Sequence, residues 1–359
     1  MKNKTICLNM IVKNESAVIR RSIGSVKHKI DYWVIVDTGS TDGTQQIIQE
    51  FLQDIPGELH ERPWVNIEKS RNEALDLARN KCDYILVIDA DEEWVFAKDF
   101  QKKNLNKDFY VVLSRDQNID LHRISLINSK LRWKWKGIIH EELQCEDPIS
   151  GGLLEGITNH GWRRDGHQNT DPKRYYKDAA ALEKALAEDP TNARYIFFLA
   201  QSYGAAKELN LALTYYKKRA EMGGFEPEIF WSLFSIGCLQ EDLHMDEELA
   251  IQSYCKAFEF DSTRAEPLHH LAKLYQKRQD HALAYILTKF ALSLPQPKAL
   301  HYVLRSVYDY SLLFTYACSA HYIRQFEEAK KSYLTLLAKP SLPEGVKTVI
   351  AHNLKLLSQ

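Results

Sequence analysis

The hydrophobic pattern of this chain changes its period once, and that change limits the folds available to it. Up to about residue 90, short apolar runs alternate with amphipathic stretches, whereas beyond Pro172 the pattern is helical alone. Strands and helices that alternate at this length form βαβ units, which place a parallel sheet between helical layers. The sequence therefore predicts an α/β domain with a mostly parallel sheet over residues 1–165 and an all-α domain over residues 172–359.

The predicted elements of the first part follow from local periodicity. The predicted strands are 5–12, 32–36, 58–61 and 83–88, and the predicted helices are 16–26, 41–52 and 68–79. Four further β-like runs, at 109–114, 123–127, 131–139 and 153–159, are expected to extend or flank the sheet. Loops at the carboxyl ends of such strands are the usual place for a ligand.

Small residues and aromatics recur in the second part at spacings that suit paired helices. From Ala250 to Ala284 is 34 residues, which is the tetratricopeptide period. The recurring sets are Ala200, Tyr203, Ala212 and Tyr216; Gly237, Gln240, Ala250 and Tyr254; Ala272, Tyr275, Ala284 and Thr288; and Ala317, Ala320, Ala329 and Tyr333. We expect a tetratricopeptide-like solenoid with insertions at 222–227 and around 296–311, and unrelated helical hairpins are the alternative.

Composition excludes several classes of protein. Lys plus Arg number 47 and Asp plus Glu number 48, so the net charge of −1 gives no overall basic field, and we expect no nucleic acid partner. The first apolar run, residues 6–12, is too short for a signal sequence or a membrane span, and we expect neither. Six scattered cysteines without a C-x-x-C pair indicate neither a zinc site nor a disulfide framework, and they favour a cytoplasmic location.

The sharpest candidate site is Asp89-Ala90-Asp91, directly after the apolar run 84–88. Two carboxylates one residue apart can hold a hard divalent cation, with water and diphosphate oxygens completing its shell. The alternative is a solvated turn that Glu92 and Glu93 reinforce. The position at a strand end, in a βαβ series, favours ligand binding.

A second acidic residue, Asp37, ends the predicted strand 32–36. Its carboxylate could accept a hydrogen bond from a base imide or a ribose hydroxyl, whereas nearby Asp42 is interpreted as a helix cap or turn residue. The sequence lacks both G-x-G-x-x-G and G-x-x-x-x-G-K-[ST], so dinucleotide redox chemistry and P-loop phosphoryl transfer lack their motifs.

Four ordered segments together resemble glycosyltransferase family 2, and more narrowly those members in which a short GT-A catalytic domain is fused to tetratricopeptide repeats. They are L-N-M-I-V-K-N-E at 8–15, V-D-T-G-S-T-D-G-T at 36–44, S-R-N-E-A at 70–74 and D-A-D-E at 89–92. The resemblance implies a nucleotide-sugar donor, commonly a UDP-sugar, and a Mg²⁺ or Mn²⁺ ion bound through the D-x-D motif.

The resemblance also implies roles for individual residues. Asn14 and Glu15 would sit beside the nucleoside, and Asp37 would contact the base. Asp89 would face ribose and metal, and Asp91 would ligate the metal.

Arg71 would lie near the diphosphate, where its charge and the cation oppose the charge that grows on the leaving group. The alternative for Arg71 is an ion pair on the helix surface with Glu68 or Asp76.

Two later segments match the family as well. In G-I-I-H-E-E at 137–142, Glu141 is the candidate general base, shielded by Trp133 and Trp135, and Glu142 is its rival. His140 would orient Glu141, complete the metal shell or hold the diphosphate.

In N-H-G-W at 159–162, His160 would complete the metal shell or hold the diphosphate. The basic run Trp162–Arg164 that overlaps this segment would contact the donor or only link the domains.

The resemblance implies a metal-dependent, hexosyltransferase-type glycosyltransferase, and we expect it to invert the anomeric centre. The acceptor is expected to be a nucleophile on a peptide or protein, with saccharide or lipopolysaccharide as the alternative, and the repeats are expected to bind a protein partner or the acceptor. A non-catalytic repeat adaptor with a nucleotide-sugar-sensing domain, and a nucleotidyltransferase, remain the competing hypotheses.

Overall fold

The protein is represented by a computed structural model that describes residues 3–116, 118–147, 149–161, 165–166, 171–297 and 301–357. Two compact units divide the chain, Met1–Glu188 and Asp189–Gln359. The domain bounds of the sequence analysis, 1–165 and 172–359, stay a prediction. The basic run Trp162–Arg164 lies outside the described residues.

The first unit has the predicted alternation of strands and helices. Its elements are β1 (Ile6–Val12), α1 (Ile19–Val26), β2 (Tyr32–Asp37), α2 (Thr44–Phe51), β3 (Gly57–Glu61), α3 (Ile67–Ala78), β4 (Tyr84–Val87), β5 (Glu93–Phe96), β6 (Phe109–Asp116), β7 (Ile119–Asn128), β8 (Trp133–Lys136), β9 (Glu142–Cys145), β10 (Gly151–His160) and α4 (Arg174–Glu188). The predicted fold class is confirmed. Strands β5 and β9 were not predicted.

The order of the strands determines where ligand loops gather. Eight strands lie side by side in the order β3-β2-β1-β4-β7-β6-β10-β5, while β8 and β9 form a separate hairpin. Strands β1, β2, β3 and β4 run parallel, and β7 pairs antiparallel with β4. The carboxyl ends of the four parallel strands therefore share one edge of the sheet, where the segments that carry Asn14, Asp37 and Asp89 begin.

Side chains on the two faces of the sheet form separate cores. Leu8 and Met10 of β1 face the core that includes Ile19 and Ile48 of helices α1 and α2, whereas Cys7 belongs to the core on the other face. Alternation along a strand produces this division.

One buried polar residue joins the sheet to α3. Asn9 of β1 donates from Nδ2 to the carbonyl oxygen of Ala74 at 2.8 Å. A buried amide requires such partners, so this bond contributes to the placement of α3 and of Arg71 on it.

The second unit is a succession of helices in which each packs on the next. Its described elements are α5 (Ala193–Ala205), α6 (Leu209–Glu221), α7 (Glu226–Asp242), α8 (Glu247–Phe260), α9 (Glu266–Lys277), α10 (His281–Ala291), a short strand β11 (Val303–Leu304), a π-helical turn (Val307–Ser311), α11 (Leu312–Tyr322), α12 (Phe326–Leu337) and α13 (Glu344–Leu356). None of the helices in the described parts of the chain is both long and apolar enough to cross a membrane.

The recurring small residues lie where these helices meet. The alanines of the predicted register, such as Ala212, Ala284 and Ala329, are fully buried. Small side chains at these positions let neighbouring helices approach closely, and larger ones would separate them. The longest predicted insertion, around 296–311, includes β11 and the π-helical turn.

Gly237 gives a direct test of this close packing. A Cβ at Gly237 of α7 would lie 2.6 Å from the ring of Tyr254 in α8. We expect Gly237→Ala to lower the free energy of unfolding by about 1–3 kcal/mol, because the buried ring has no room to retreat. Urea denaturation measures this change.

The matched control is Gly345→Ala in α13, where a Cβ would meet no atom within 4 Å. Its stability should stay the same or rise by up to about 1 kcal/mol, since alanine favours a helix. Equal losses in the two variants would contradict the close packing of α7 on α8.

A buried histidine gives this unit a pH dependence. Burial of His269 in α9, helped by the charges of His270 and Lys273, lowers the pKa of its imidazole to about 3. His269 shares a hydrogen bond of 3.2 Å with Thr315 of α11. The unfolded chain therefore binds a proton at higher pH than the folded one, so stability is complete above about pH 6.5 and falls as pH drops toward 3.

We expect the wild-type protein to lose about 2 kcal/mol more stability than His269→Gln between pH 7.5 and pH 5. Urea unfolding at both pH values measures this difference. His352→Gln, which replaces an exposed histidine, should retain the wild-type pH dependence. A His269→Gln profile that matches the wild type would show that His269 does not cause the loss.

Candidate active site

Arg71 of α3 forms the centre of a charged cluster. Its Nη2 donates to Oδ1 of Asp89 at 2.6 Å, and its Nε forms an ion pair with Glu141. The guanidinium also lies over the ring of Trp135, with Cζ 4.8 Å from the ring centroid. The side chain is 13% exposed, so Asp89 and Glu141 compensate a charge that is largely removed from water.

The alternative partners of Arg71 are engaged elsewhere. Glu68 accepts a hydrogen bond of 2.8 Å from the backbone of Gly137, and Asp76 forms an ion pair with Arg79. Arg71 therefore contacts Asp89 and Glu141 rather than the acids of its own helix.

Helix α3 also holds β8, the strand of the hairpin that precedes Glu141. The side-chain amide of Asn72 bonds both backbone groups of Trp135, at 2.8 and 2.9 Å. Arg79 donates to the carbonyl oxygens of Leu131 and Trp133, at 2.7 and 2.5 Å. The S-R-N-E-A segment therefore has two structural roles. Arg71 belongs to the charged cluster, and Asn72 holds the neighbouring strand β8 against α3.

A second arginine, Arg123 of β7, completes the cluster. It lies 3.4 Å from Oδ2 of Asp89 and 2.6 Å from a carboxylate oxygen of Glu92. Glu92, which is buried, also accepts the backbone N–H of Asp89 at 3.0 Å. Two guanidinium groups therefore face three carboxylates. Arg123 could not be predicted from the sequence, because only the antiparallel pairing of β7 with β4 brings it beside Asp89.

The two carboxyls of D-x-D have opposite electrostatic environments. Burial opposes ionisation of Asp89, but the charges of Arg71 and Arg123 outweigh it and lower the pKa of this carboxyl. Burial raises the pKa of the Asp91 carboxyl, and the negative charge of Asp89 raises it further. Asp91 thus lies where a positive charge would be stabilised.

Contacts around Asp91 involve residues far apart in the chain. Arg21 of α1 donates to both carboxylate oxygens of Asp165, at 2.7 and 2.6 Å, and to the backbone oxygen of Asp91 at 3.1 Å. A Cβ at Gly166 would lie 2.7 Å from Oδ2 of Asp91. Arg21 was not predicted as a site residue, because it belongs to no motif.

The three predicted metal ligands, Asp89, Asp91 and His160, lie on two different segments of the first unit. Asp89 and Asp91 flank the turn after β4, and His160 ends β10 in register with Glu93 of β5. Among the described residues, no three Asp, Glu, His or Cys side chains form a group that would hold a metal by themselves. The carboxylates of D-x-D are the hard oxygen donors that Mg²⁺ or Mn²⁺ prefers, so they fit an ion that takes its other ligands from diphosphate and water.

The loops after β1 and β2 hold each other. Asn14, with φ of 55°, donates its backbone N–H to Ser40 at 2.9 Å and accepts the N–H of Thr41 at 2.8 Å. The backbone N–H of Glu15 donates to the hydroxyl of Thr44 at 2.8 Å. The L-N-M-I-V-K-N-E and V-D-T-G-S-T-D-G-T segments therefore form one structural element at the sheet edge.

Asp42 is a turn residue within this element. Its carboxylate accepts hydrogen bonds from Thr44, at 2.6 and 3.1 Å, and from the backbone of Ser16 at 3.0 Å. Burial opposes ionisation, but these hydrogen bonds prevail and lower the pKa of the Asp42 carboxyl to about 2.

Asp37 combines complete burial with an unused acceptor. Its Oδ1 accepts the N–H groups of Gly39 and Ser40, each at 2.8 Å. Within the described part of the chain, no group donates a hydrogen bond to the buried Oδ2. An acceptor left in this state is costly, and a bound donor group would relieve the cost.

The two candidate bases lie in different surroundings. Glu141 contacts Arg71, whereas Glu142 begins β9 and accepts a hydrogen bond of 2.6 Å from Gln144. His140 is exposed and has a left-handed backbone, with φ of 52°. The structure therefore brings Arg71, Asp89 and Glu141 together and leaves Glu142 on the hairpin.

Comparison with known proteins identifies a family match and several relatives. Residues 7–102 match the model of the family described as Glycosyl transferase family 2. A TPR repeat-containing protein from Synechococcus elongatus is 26% identical over 310 residues, covering 80% of this chain and 75% of that protein. An uncharacterized glycosyltransferase from Rickettsia bellii is 41% identical over 90 residues, covering 25% of this chain and 29% of that protein.

Glycosyltransferase SunS from Bacillus subtilis is 23% identical over 234 residues, covering 60% of this chain and 53% of that protein. A tetratricopeptide repeat protein from Parabacteroides merdae is structurally similar with a TM-score of 0.41 and 15% identity, over 52% of this chain and 68% of that chain. The matched segment of this chain thus spans less than a third of the Rickettsia bellii relative. Residues 7–102 are a glycosyltransferase family 2 domain, and a unit of successively packed helices follows it in the chain.

Proposed function

We propose that this glycosyltransferase moves a hexose from a nucleotide-diphosphate sugar, most simply a UDP-sugar, to a nucleophile on an acceptor, with inversion and with the help of a divalent cation. The observation that carries the proposal is the cluster of Arg71, Asp89 and Glu141 at the carboxyl edge of the parallel strands. The cluster combines cationic groups for a diphosphate with a carboxylate that can accept a proton.

Arg71 and Arg123 supply the positive charge that would stabilise the departing diphosphate. In the transfer, the bond between the anomeric carbon and the diphosphate oxygen breaks, and that oxygen takes the bonding electrons. Fixed guanidinium groups in a partly buried site stabilise such charge without reorganising. Asp89 holds both arginines in place, because it contacts each of them.

Asp89 and Asp91 would hold Mg²⁺ or Mn²⁺, with His160 as the further candidate ligand. The bound ion would supply Lewis acidity toward the diphosphate oxygens. Asp91 supports this assignment, because burial and neighbouring acids raise the pKa of its carboxyl. Asn14, Glu15 and Asp37 would bind the nucleoside at the adjoining loops, and His140 would assist at the diphosphate.

Glu141 is the proposed general base. It would take the proton of the acceptor nucleophile as the new bond to the anomeric carbon forms on the face opposite the diphosphate. Its ion pair with Arg71 supports the proposal, because it holds the carboxylate in a fixed orientation within the cluster where transfer would occur. Glu142 is the rival, and its contact with Gln144 directs it to the hairpin instead.

The acceptor is proposed to be a peptide or protein. Stacked helix pairs offer an extended surface suited to such chains, and the repeats would bind the acceptor or a partner protein. A cytoplasmic location would suit the six cysteines, which all remain free thiols.

A panel of nucleotide sugars tests the proposal. We expect the full-length protein with Mn²⁺ to release a nucleoside diphosphate from at least one donor, detected by mass spectrometry, with cell lysate as the acceptor source. Asp91→Asn should slow this release by about 100-fold or more, because it removes a metal ligand. Asp54→Asn, an exposed carboxyl in the same unit, is the control and should leave the rate unchanged.

Three outcomes would contradict the proposal. A rate that stays at the wild-type value both in Asp91→Asn and in wild-type protein stripped of metal would exclude the metal role. Release of pyrophosphate instead of a nucleoside diphosphate would indicate nucleotidyl transfer, and partner binding without any donor turnover would favour the adaptor hypothesis.

A further inference from the structure

We propose that Trp64 is the aromatic wall on which the nucleobase of the donor stacks, beside the carboxyl of Asp37. This inference rests on the proposed function in one respect, namely that the donor contains a nucleotide. The segment that carries it, residues 62–66, lies outside the four segments on which the family resemblance depends.

The position of Trp64 follows from the register of the sheet. Asp37, the last residue of β2, pairs with Glu61, the last residue of β3. The next residue, Arg62, donates its backbone N–H to the carbonyl oxygen of Asp37 at 2.9 Å. Three residues span at most about 10 Å, so the Cα atom of Trp64 lies within about 10 Å of that of Glu61, the residue paired with Asp37.

The loop is fixed at both ends while its centre faces solvent. Arg62 pairs with Glu73 of α3 at 2.7 Å, and Asn66 caps α3 by accepting the N–H of Lys69 at 2.8 Å. Between these anchors, Trp64 is 43% exposed and Val65 is 52% exposed. Both side chains are thus presented to solvent from a loop that is held in place.

Exposure distinguishes Trp64 from the other tryptophans of the described residues. Those tryptophans are Trp33, Trp94, Trp133, Trp135 and Trp231, and each is at most 9% exposed. Leaving an indole in water gives up burial energy that the fold gains at every other described tryptophan. A flat aromatic face beside a ligand-binding edge is instead suited to stacking.

The carboxyl of Asp37 supplies the polar half of this subsite. Its Oδ2 is a buried acceptor to which no described group donates, and an imide N–H of the base is a donor of the required kind. The adjoining turn contains Gly39 at φ of 105°, where a Cβ would meet no atom within 4 Å. The backbone beside Asp37 is therefore open to an approaching ring. Stacking on Trp64 would hold that ring whichever nucleobase it belongs to.

Binding of UDP, UMP and inorganic pyrophosphate to the full-length protein tests the proposal. Calorimetry should show UDP and UMP bound about 5- to 100-fold more weakly by Trp64→Ala than by wild type, the range expected for loss of base stacking. Trp64→Phe should bind nearly as wild type, and pyrophosphate should bind all three proteins equally. Val65→Ala, which changes the adjacent exposed side chain of the same loop, should bind UDP as wild type does.

Fluorescence gives a readout that a purely structural role of Trp64 would not change. Stacking of the base should quench tryptophan emission on addition of UDP, and Trp64→Phe should lose this quenching while it still binds UDP. Equal affinity of Trp64→Ala and wild type for UDP would overturn the stacking role. An effect of Trp64→Ala that is confined to the KM for the acceptor would also overturn it, because it would assign Trp64 to the acceptor side. A wild-type protein that binds neither UDP nor GDP would overturn the proposed function as well as this inference.

Discussion

The first unit depends on the placement of one largely buried guanidinium, that of Arg71. Asp89 and Glu141 compensate its charge from two directions, and the ring of Trp135 covers its face. Removing one member of such a buried group leaves a charge uncompensated, at a cost of about 3–5 kcal/mol. The contacts of Asn9 and Asn72 make this arrangement possible, because they fix α3 between the sheet and the β8–β9 hairpin.

Local pattern was enough to predict the elements that the site uses. Strand ends in a parallel βαβ series lie at one edge, so the apolar run before Asp89 was enough to predict a position at that edge. Long-range pairing was not predictable in the same way. Arg123 reaches Asp89 because β7 runs antiparallel beside β4, and Arg21 reaches Asp91 across the chain. Neither arginine stands in a motif, so no local signal identifies it.

In the helical unit, too, features set by local sequence spacing were predictable and features set by tertiary contacts were not. Alternating small and aromatic residues predicted which positions are buried, since close helix packing requires small side chains at fixed intervals. The insertion between α10 and α11 breaks that interval. Its strand and π-helical turn follow from tertiary contacts such as that of Tyr308 with Glu266, which spacing does not encode.

The most direct test of the account compares sugar transfer by Glu141→Gln and Glu142→Gln. These neighbours carry the same carboxyl, but Glu141 contacts Arg71 and Glu142 contacts Gln144. With equal thermal stability as the control, the account predicts that kcat falls by about 100- to 10,000-fold in Glu141→Gln and by less than about tenfold in Glu142→Gln. A larger loss in Glu142→Gln, or wild-type turnover in Glu141→Gln, would contradict the claim that the Arg71 cluster is the centre of transfer.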